Sequence, residues 1–262
     1  MPKFAANLST LFTELEFPDR FKAAADAGFK AVECQFPYAW DRHDLADRLA
    51  AHHLELVLHN LPAGDWEQGE RGIACLPNRI GEFQQAVATA IEYATTLGCT
   101  RLNCLAGIPP PEADPRQVRD TFAANLRFAA DRLKRAGIRL LIEPINNRDI
   151  PGFFLSATQQ ALDVIARTGS ENVHLQYDVY HMQRTEGELA ATIKRHLPRI
   201  AHIQIADNPG RGEPGTGEIN YPFLFRWLDN IGYAGWVGCE YRPRSTTGES
   251  LGWFEPYRQT QP

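Results

Sequence analysis

One local pattern recurs along the chain: an amphipathic stretch, a glycine, and then a short apolar run that ends in a polar residue. It is clearest in ADAGFKAVECQ, TTLGCTRLNC, KRAGIRLLIEP and DNIGYAGWVGCE. The glycines of these segments, Gly28, Gly98, Gly137 and Gly232, stand where the end of a helix favours a left-handed residue. Each segment therefore predicts the end of a helix and the start of a strand.

Eight apolar runs are candidate strands: FAANL, KAVECQ, LELVLHN, TRLNCL, IRLLIEP, NVHLQYD, IAHIQIAD and GWVGCEY. Helical spacing of apolar residues lies between several of them, as over 80–94 and 118–133. Strands that alternate with helices favour a parallel sheet, and eight such units match a (β/α)8 barrel, typically of about 250 residues. A doubly wound sheet, the alternative, predicts a glycine-rich loop after the first strand, but FAANLSTLF contains no glycine. We therefore predict an α/β fold, a single TIM-barrel domain over residues 1–262.

Composition and charge exclude several classes of protein. Hydrophobic residues at 44% and charged residues at 23% are typical of a folded chain rather than a disordered one. Five cysteines without a CxxC pair predict reduced thiols, a cytoplasmic location and no cysteine-ligated zinc. No apolar run reaches the roughly 18 residues of a membrane-spanning helix, and the N-terminus lacks a signal-peptide pattern. The net charge of -5 argues against nucleic acid as a partner.

Four of the later strands end in a residue that can ligate a metal: Glu143, Asp178, Gln204 and Glu240. They follow one another at intervals of 35, 26 and 36 residues, close to one strand–helix unit each. Because the carboxyl ends of the strands form the active site of a (β/α)8 barrel, these side chains should converge at its mouth. Three carboxylates and an amide oxygen predict a site for a hard divalent cation, Mg²⁺ or Mn²⁺. Each carboxylate alone could instead cap a helix or pair with a basic residue.

Five more residues are candidate substrate ligands: His59, His181, Arg211, Asn7 and Asn103. His59 closes LELVLH, and its alternative role is that of a hydrogen-bonded core histidine. His181 in YDVYHMQR is a candidate hydrogen-bond donor, or simply a residue near a helix N-terminus. Arg211 suits a substrate carboxylate in a two-pronged contact, unless it is a solvated loop residue. Asn7 and Asn103, at strand ends, are expected to shape the pocket.

A divalent ion with two glutamates across it suits proton transfer at a carbon next to a carbonyl group. Glu143 and Glu240 are the predicted acid–base pair, and Asp178 and Gln204 are mainly ligands. Isomerisation or epimerisation through an enediolate follows from this arrangement. The pattern leaves open which glutamate takes the proton first, whether a hydride shift occurs instead, and what the substrate is.

Longer segments resemble the hydroxypyruvate isomerase family of the xylose isomerase-like barrel superfamily. The segments are FAANLSTLF, LHNLPAGDW, GERGIACLP, LIEPIN with DIPGF, QYDVYHMQR, HIQIADNPGRGEPGTGEINY and GWVGCEY, and the similarity extends to about Arg258. The resemblance implies interconversion of hydroxypyruvate and 2-hydroxy-3-oxopropanoate. It also implies an acid–base pair at Glu143 and Glu240, and a divalent ion on these two residues, Asp178 and Gln204.

Related groups of the same superfamily define the alternatives. The 2-oxo-tetronate isomerases share FAANLS, HIQIA and GCEY-like segments, whereas LHNLPAGDW and EPINNRDIPGF favour the hydroxypyruvate group. Ketose epimerases resemble the chain more loosely and carry histidine where Gln204 stands. A polyol dehydratase, a DNA-repair barrel and a non-catalytic sugar-binding barrel are further alternatives. The expected partner is a small 2-oxo acid, without nucleic acid or membrane, and a homo-oligomer stays open.

Overall fold

The structure, a computed structural model, describes residues 1–258, so the last four residues of the predicted domain lie outside the described part. Eight parallel strands close into a barrel in chain order, with β1 pairing to both β2 and β8. The strands are β1 Lys3–Asn7, β2 Ala31–Glu33, β3 Glu55–Asn60, β4 Arg101–Cys104, β5 Arg139–Ile142, β6 Val173–Asp178, β7 Ile200–Ile205 and β8 Trp236–Cys239. The predicted (β/α)8 barrel is confirmed, and each of the eight predicted runs overlaps one strand.

Helices surround the barrel and connect its strands. They are α1 Arg20–Asp26, α2 Arg42–Ala51, α3 Ile80–Leu97, α4 Pro115–Arg135, α5 Thr158–Thr168, α6 Val179–Thr185, α7 Leu189–His196, α8 Tyr221–Asn230, α9 Thr247–Ser250 and α10 Glu255–Arg258. Short 3₁₀ turns lie at Phe17–Asp19, Pro77–Arg79, Leu197–Arg199 and Leu251–Trp253. The four glycines predicted to follow helices all have positive φ, as expected.

Helix α4 shows how local chemistry sets these boundaries. Asp114 caps its N-terminus, because its Oδ1 accepts a hydrogen bond of 2.9 Å from the backbone N–H of Arg116. Pro115 occupies the first turn, where its missing N–H costs nothing. The apolar face then buries Phe122 and Leu126 against the barrel. The cap at the N-terminus and the buried apolar face together fix the position of α4.

Small and apolar residues fill the lower part of the barrel interior. Ala5, Ala31, Leu58 and Leu141 belong to a separate buried apolar cluster. Each stands two positions before a polar residue near its strand's C-terminal end, and alternate residues of a strand share one face. The polar residues at the C-terminal ends of the strands, here called the rim, therefore lie directly above a buried apolar layer. All five cysteines are free and buried, and no helix within residues 1–258 has the length and apolar character needed to cross a bilayer.

Candidate active site

A cavity of about 810 Å³ opens where the carboxyl ends of the strands meet. Six of the predicted site residues line it: Asn7, Glu143, His181, Gln204, Arg211 and Glu240. Asp178 and Asn103 lie just behind this lining and contact it, whereas His59 lies elsewhere. The fold thus brings eight of the nine predicted residues to one end of the barrel.

Glu143 directly follows β5 and is buried. Its Oε2 accepts hydrogen bonds from Asn103 Nδ2 at 2.9 Å and from Gln176 Nε2 at 3.0 Å. Burial, and then the negative charges of Glu240 and Asp178, raise the pKa of Glu143 well above its usual value. The carboxyl group is therefore held in place and is easier to protonate than an exposed glutamate.

Asp178 ends β6 and caps α6. Its Oδ1 accepts backbone hydrogen bonds from Tyr180 at 2.7 Å and from His181 at 3.2 Å. Its Oδ2 is buried without a hydrogen-bond partner among residues 1–258, at 3.7 Å from both His181 Nε2 and Arg211 Nη2. Ligand atoms of Glu143, Asp178 and His181 lie within 4.8 Å of one another. A buried carboxylate oxygen without a partner, beside a second carboxylate, is the donor chemistry that a divalent cation completes.

The hydrogen bonds around His181 decide which ring nitrogen carries its proton. Asn146 Oδ1 accepts from the backbone N–H groups of Arg148 and Asp149, so its Nδ2 faces His181 Nδ1 at 2.6 Å as a donor. Burial lowers the pKa of His181 well below its usual value, so the ring is neutral. Its proton then lies on Nε2, the atom nearest the carboxylates. This tautomer makes His181 a hydrogen-bond donor at the cavity.

Glu240 follows β8 and faces three donors. Its Oε1 accepts from Asn7 Nδ2 at 3.2 Å and from Gln35 Nε2 at 2.9 Å. Its Oε2 accepts from Arg211 Nη2 at 2.7 Å, and the same nitrogen lies 3.7 Å from Asp178 Oδ2. Burial raises the pKa of Glu240, although Arg211 opposes the shift. Arg211 thus places its charge between two of the site carboxylates.

Glu33, which the sequence analysis did not select, organises the floor of the site. It is fully buried, with Oε2 at 2.6 Å from His202 Nε2. Its Oε1 accepts from Gln204 Nε2 at 2.7 Å and from Asn7 Nδ2 at 2.9 Å. A Cβ at Gly238 would clash with this carboxylate, so the bare glycine backbone gives Glu33 its space. The contact with Glu33 fixes the Gln204 amide, with its oxygen turned away from Glu33.

Gln176 and His202 are also site residues that sequence reasoning missed. Each stands two positions before a predicted ligand, Asp178 or Gln204, on the same strand. The alternation of side chains along a strand could have identified both. Glu33 ends the strand run KAVE, so the polar strand end that marked the later strands was present there too.

His59 lies on the other face of β3 from Asn60. Its Nδ1 is 3.2 Å from the Tyr38 hydroxyl, and Tyr38 packs on Tyr93 of α3. Burial lowers the pKa of His59 to about 4. The structure therefore places this histidine among the residues that join the barrel to its helices, and does not bring it to the cavity.

Comparisons with known proteins identify the family. A family model described as a xylose isomerase-like TIM barrel matches residues 21–257. The chain is 54% identical over 258 residues to the hydroxypyruvate isomerase of Escherichia coli (strain K12), covering 98% of this chain and 100% of that one. It is 47% identical over 257 residues to the 2-oxo-tetronate isomerase of Cupriavidus necator, covering 98% of this chain and 99% of that one.

Solved structures agree with this placement. A crystal structure of a Brucella melitensis protein described as AP endonuclease, family 2, has a TM-score of 0.96 and 46% identity, covering 98% of this chain and 100% of that chain. The 3-keto-D-glucoside 4-epimerase of E. coli has a TM-score of 0.83 at 18% identity over 98% of this chain and 100% of that chain, which shows the fold alone. The resemblance found in the sequence is confirmed, and the chain belongs to the hydroxypyruvate isomerase family of xylose isomerase-like TIM barrels.

Proposed function

We propose that this protein interconverts hydroxypyruvate and 2-hydroxy-3-oxopropanoate by proton transfer between neighbouring carbons. The observation that carries the proposal is the pair of buried glutamates, Glu143 and Glu240, which line one cavity and both have raised pKa values. A carboxyl group whose pKa lies closer to neutrality can both accept and return a proton. The relative from E. coli with 54% identity carries the same activity in its name.

A divalent ion, Mg²⁺ or Mn²⁺, belongs to this proposal. Glu143 and Asp178 would hold it, with Gln204 and Glu240 as the other two ligands, an all-oxygen set that suits either ion. The partnerless Asp178 Oδ2 supports the fit. When bound, the ion supplies polarisation of the substrate carbonyl. His181 is a proposed substrate ligand rather than a metal ligand, since the proton on Nε2 leaves no lone pair there.

The two glutamates divide the proton transfer. One removes a proton from the hydroxymethyl carbon next to the carbonyl group, and the other delivers a proton to the former carbonyl carbon. The hydroxyl proton passes to the former carbonyl oxygen, so the product carries the aldehyde and the hydroxyl group on exchanged carbons. Asn103 orients Glu143 and Asn7 orients Glu240, so each carboxylate keeps a fixed direction during the reaction. The Nε2–H of His181 donates to a substrate oxygen as charge develops on it.

Isomerisation of a 2-oxo-tetronate is the second candidate. The relative from Cupriavidus necator at 47% identity bears that name. The cavity of about 810 Å³ has room for a four-carbon acid as well as a three-carbon one. Both substrates place a carbonyl group beside a carboxylate, so the same pair of glutamates serves either reaction.

Substrate comparison with the purified protein tests the proposal. With Mg²⁺ or Mn²⁺ added, we expect hydroxypyruvate to be converted to the semialdehyde, detected by coupling to a semialdehyde reductase. EDTA should abolish turnover, and re-added metal should restore it. Brisk turnover of a 2-oxo-tetronate without turnover of hydroxypyruvate would favour the second candidate. Absence of turnover with both acids would refute both.

The proposal also covers where the protein acts and with what. Five free cysteines fit a reducing compartment, so we place the protein in the cytoplasm. Its partner is a small 2-oxo acid, and a net charge of -5 argues against nucleic acid.

A further inference from the structure

We propose that Arg71 binds the carboxylate of the substrate and thereby selects 2-oxo acids over neutral ketoses. The inference rests on the proposed isomerase function and adds the residue that determines substrate class. Four arginines line the cavity: Arg71, Arg148, Arg211 and Arg242. They differ in how their charge is compensated and in how firmly they are held.

The positive charge of Arg211 is already compensated by carboxylates of the protein. Its Nη2 donates to Glu240 Oε2 at 2.7 Å and lies 3.7 Å from Asp178 Oδ2. A carboxylate of the substrate would have to compete with these two for the same guanidinium. The stable role of Arg211 is therefore to balance the negative charge of the catalytic carboxylates.

Arg71 is held without being neutralised. Its Nη1 donates to the backbone carbonyl groups of Trp66 at 3.1 Å and Glu70 at 2.7 Å, and its guanidinium lies 4.1 Å from the centre of the Trp66 ring. Carbonyl oxygens and an aromatic face carry partial charge only, so the full positive charge remains available. The Glu70 carboxylate does not supply the balance, because it is engaged by Arg79 and by the backbone N–H of Asp65.

The remaining donors of Arg71 fit a carboxylate. Its Nε and Nη2 make no hydrogen bond to any residue within 1–258. A planar guanidinium presents these donors in a rigid fork that matches the two oxygens of a carboxylate. Stacking on Trp66 fixes the plane of the fork, so little side-chain freedom is lost when the anion binds.

The loop that carries Arg71 is itself anchored. Gly72 has φ of 115°, its N–H donates to the carbonyl of Ala63 at 3.0 Å, and a Cβ there would clash with the backbone of Leu105. The N–H of Cys75 donates to the carbonyl of Ala106 at 2.9 Å. Arg71 therefore extends from a loop clamped against the segment that follows β4, and it is in place before the substrate arrives.

Arg148 and Arg242 provide the matched comparison. Both are exposed at the mouth of the cavity, and the side chain of neither makes a hydrogen bond or ion pair within the described residues. Such flexible cations attract an anion over distance but do not fix its position. We expect them to affect the rate of encounter rather than the choice of substrate.

Two substrates that differ only at the anionic group test the proposal. Dihydroxyacetone has a hydroxymethyl group where hydroxypyruvate has its carboxylate. For Arg71→Met, we expect kcat/KM for hydroxypyruvate to fall about 10- to 100-fold, mainly through KM, with dihydroxyacetone turnover within about twofold of wild type. Arg148→Met should change kcat/KM for neither substrate by more than about threefold. Arg71→Lys should recover part of the kcat/KM for hydroxypyruvate that Arg71→Met loses. An equal loss with both substrates would assign Arg71 a structural role and overturn the proposal.

A binding measurement separates this proposal from the proposed reaction. Tartronate, an unreactive three-carbon dicarboxylate, is titrated into the Mg²⁺-loaded wild type and Arg71→Met protein by calorimetry. We expect affinity to fall at least about tenfold in the variant. Equal affinity would overturn the role of Arg71. Weaker binding together with an inactive wild-type enzyme would uphold Arg71 as an anion ligand while refuting the isomerase function.

Discussion

The two halves of the barrel rim carry different chemistry. Strands β1, β3 and β4 carry the amides Asn7, Asn60 and Asn103, whereas the carboxylates Glu143, Asp178 and Glu240 lie at or directly after the ends of β5, β6 and β8. Hydrogen bonds cross from the first half to the second, from Asn103 to Glu143 and from Asn7 to Glu240. A neutral amide can orient a carboxylate by a hydrogen bond without forming an ion pair that would keep the carboxylate ionised. In the proposed reaction, the amide half of the rim therefore positions the carboxylates, and the carboxylate half transfers the proton.

Glu33 shows that residue type alone does not decide this division. It is a carboxylate on the amide half, fully buried, and its oxygens face His202, Gln204 and Asn7. It does not line the cavity, and its hydrogen-bonding capacity is used inside the barrel. Glu143 and Glu240 also accept hydrogen bonds, but both line the cavity, so access to the cavity rather than residue type separates them from Glu33.

Removing a reactive carboxylate should have the largest effect. For Glu240→Gln, we expect kcat to fall about 100- to 10,000-fold, because an amide cannot accept a proton. Binding of Mn²⁺, measured by electron paramagnetic resonance, should be largely retained because an amide oxygen still ligates. The exposed Glu218→Gln variant is the control. Normal turnover by Glu240→Gln would refute the two-glutamate scheme.

Removing a positioning amide should have an intermediate effect. We expect Asn103→Leu to lower kcat about 10- to 100-fold, the cost of losing a hydrogen bond to a charged group. Since the Asn103 hydrogen bond lowers the pKa of Glu143, its loss should raise that pKa and move the acidic limb of the pH–rate profile to higher pH. Asn125→Leu removes a buried amide that donates to the backbone carbonyl of Ala74 instead, and serves as the control. An unchanged pH–rate profile in Asn103→Leu would show that Asn103 does not set the pKa of the catalytic group.

Changing the enclosed carboxylate should reduce stability more than chemistry. In Glu33→Gln, the negative charge is lost and only one acceptor oxygen remains beside His202, Gln204 and Asn7, so we expect the free energy of unfolding to fall by about 1–3 kcal/mol. Urea unfolding measures the change. Glu112→Gln, at an exposed position in the loop between β4 and α4, is the control. If the Glu33→Gln variant kept its stability but lost turnover, Glu33 would have a role in the reaction rather than in the structure.

The last prediction concerns a residue behind the rim, for which we expect no effect on turnover and an effect on stability only at acidic pH. Because burial holds the pKa of His59 at about 4, against about 6.5 when unfolded, the unfolded chain binds more protons between these values. The folded protein is therefore less stable at acidic pH: its free energy of unfolding is unaffected by His59 above pH 6.5 and falls as pH falls towards 4, by up to about 1.4 kcal/mol per pH unit. We expect urea unfolding of His59→Gln to depend less on pH over this range. Substitution of the exposed His43 should leave the dependence unchanged, and equal slopes in all three proteins would contradict the assignment.

The periodic features of the sequence predicted the architecture well. Glycines mark the ends of helices and polar residues mark the ends of strands, and both signals are local, so each of the eight strands was found. The same signal selected Glu143, Gln204 and Glu240, which line the cavity. Their assignment as metal ligands and catalytic groups stays a prediction.

Features that depend on closure of the barrel were beyond local reasoning. The neighbours of Glu33 come from β1 and β7, at distances of 26 and 171 residues along the chain. A shift of one residue along a strand reverses the face, which is why His59 lies towards Tyr38 while the adjacent Asn60 lines the cavity. The partner of Arg211 depends on the loop between β7 and α8, whose conformation no periodicity encodes.

The floor formed by Glu33, His202 and Gln204 has a consequence for protein design. Transplanting only the residues that line the cavity onto another eight-stranded scaffold would leave Asn7 and Gln204 without Glu33, the acceptor that orients their amides. The Asn7 amide, and with it one hydrogen bond to Glu240, would then lose its fixed direction. The smallest portable unit of this catalyst is a rim together with the layer beneath it, including the bare backbone of Gly238 that leaves room for that layer.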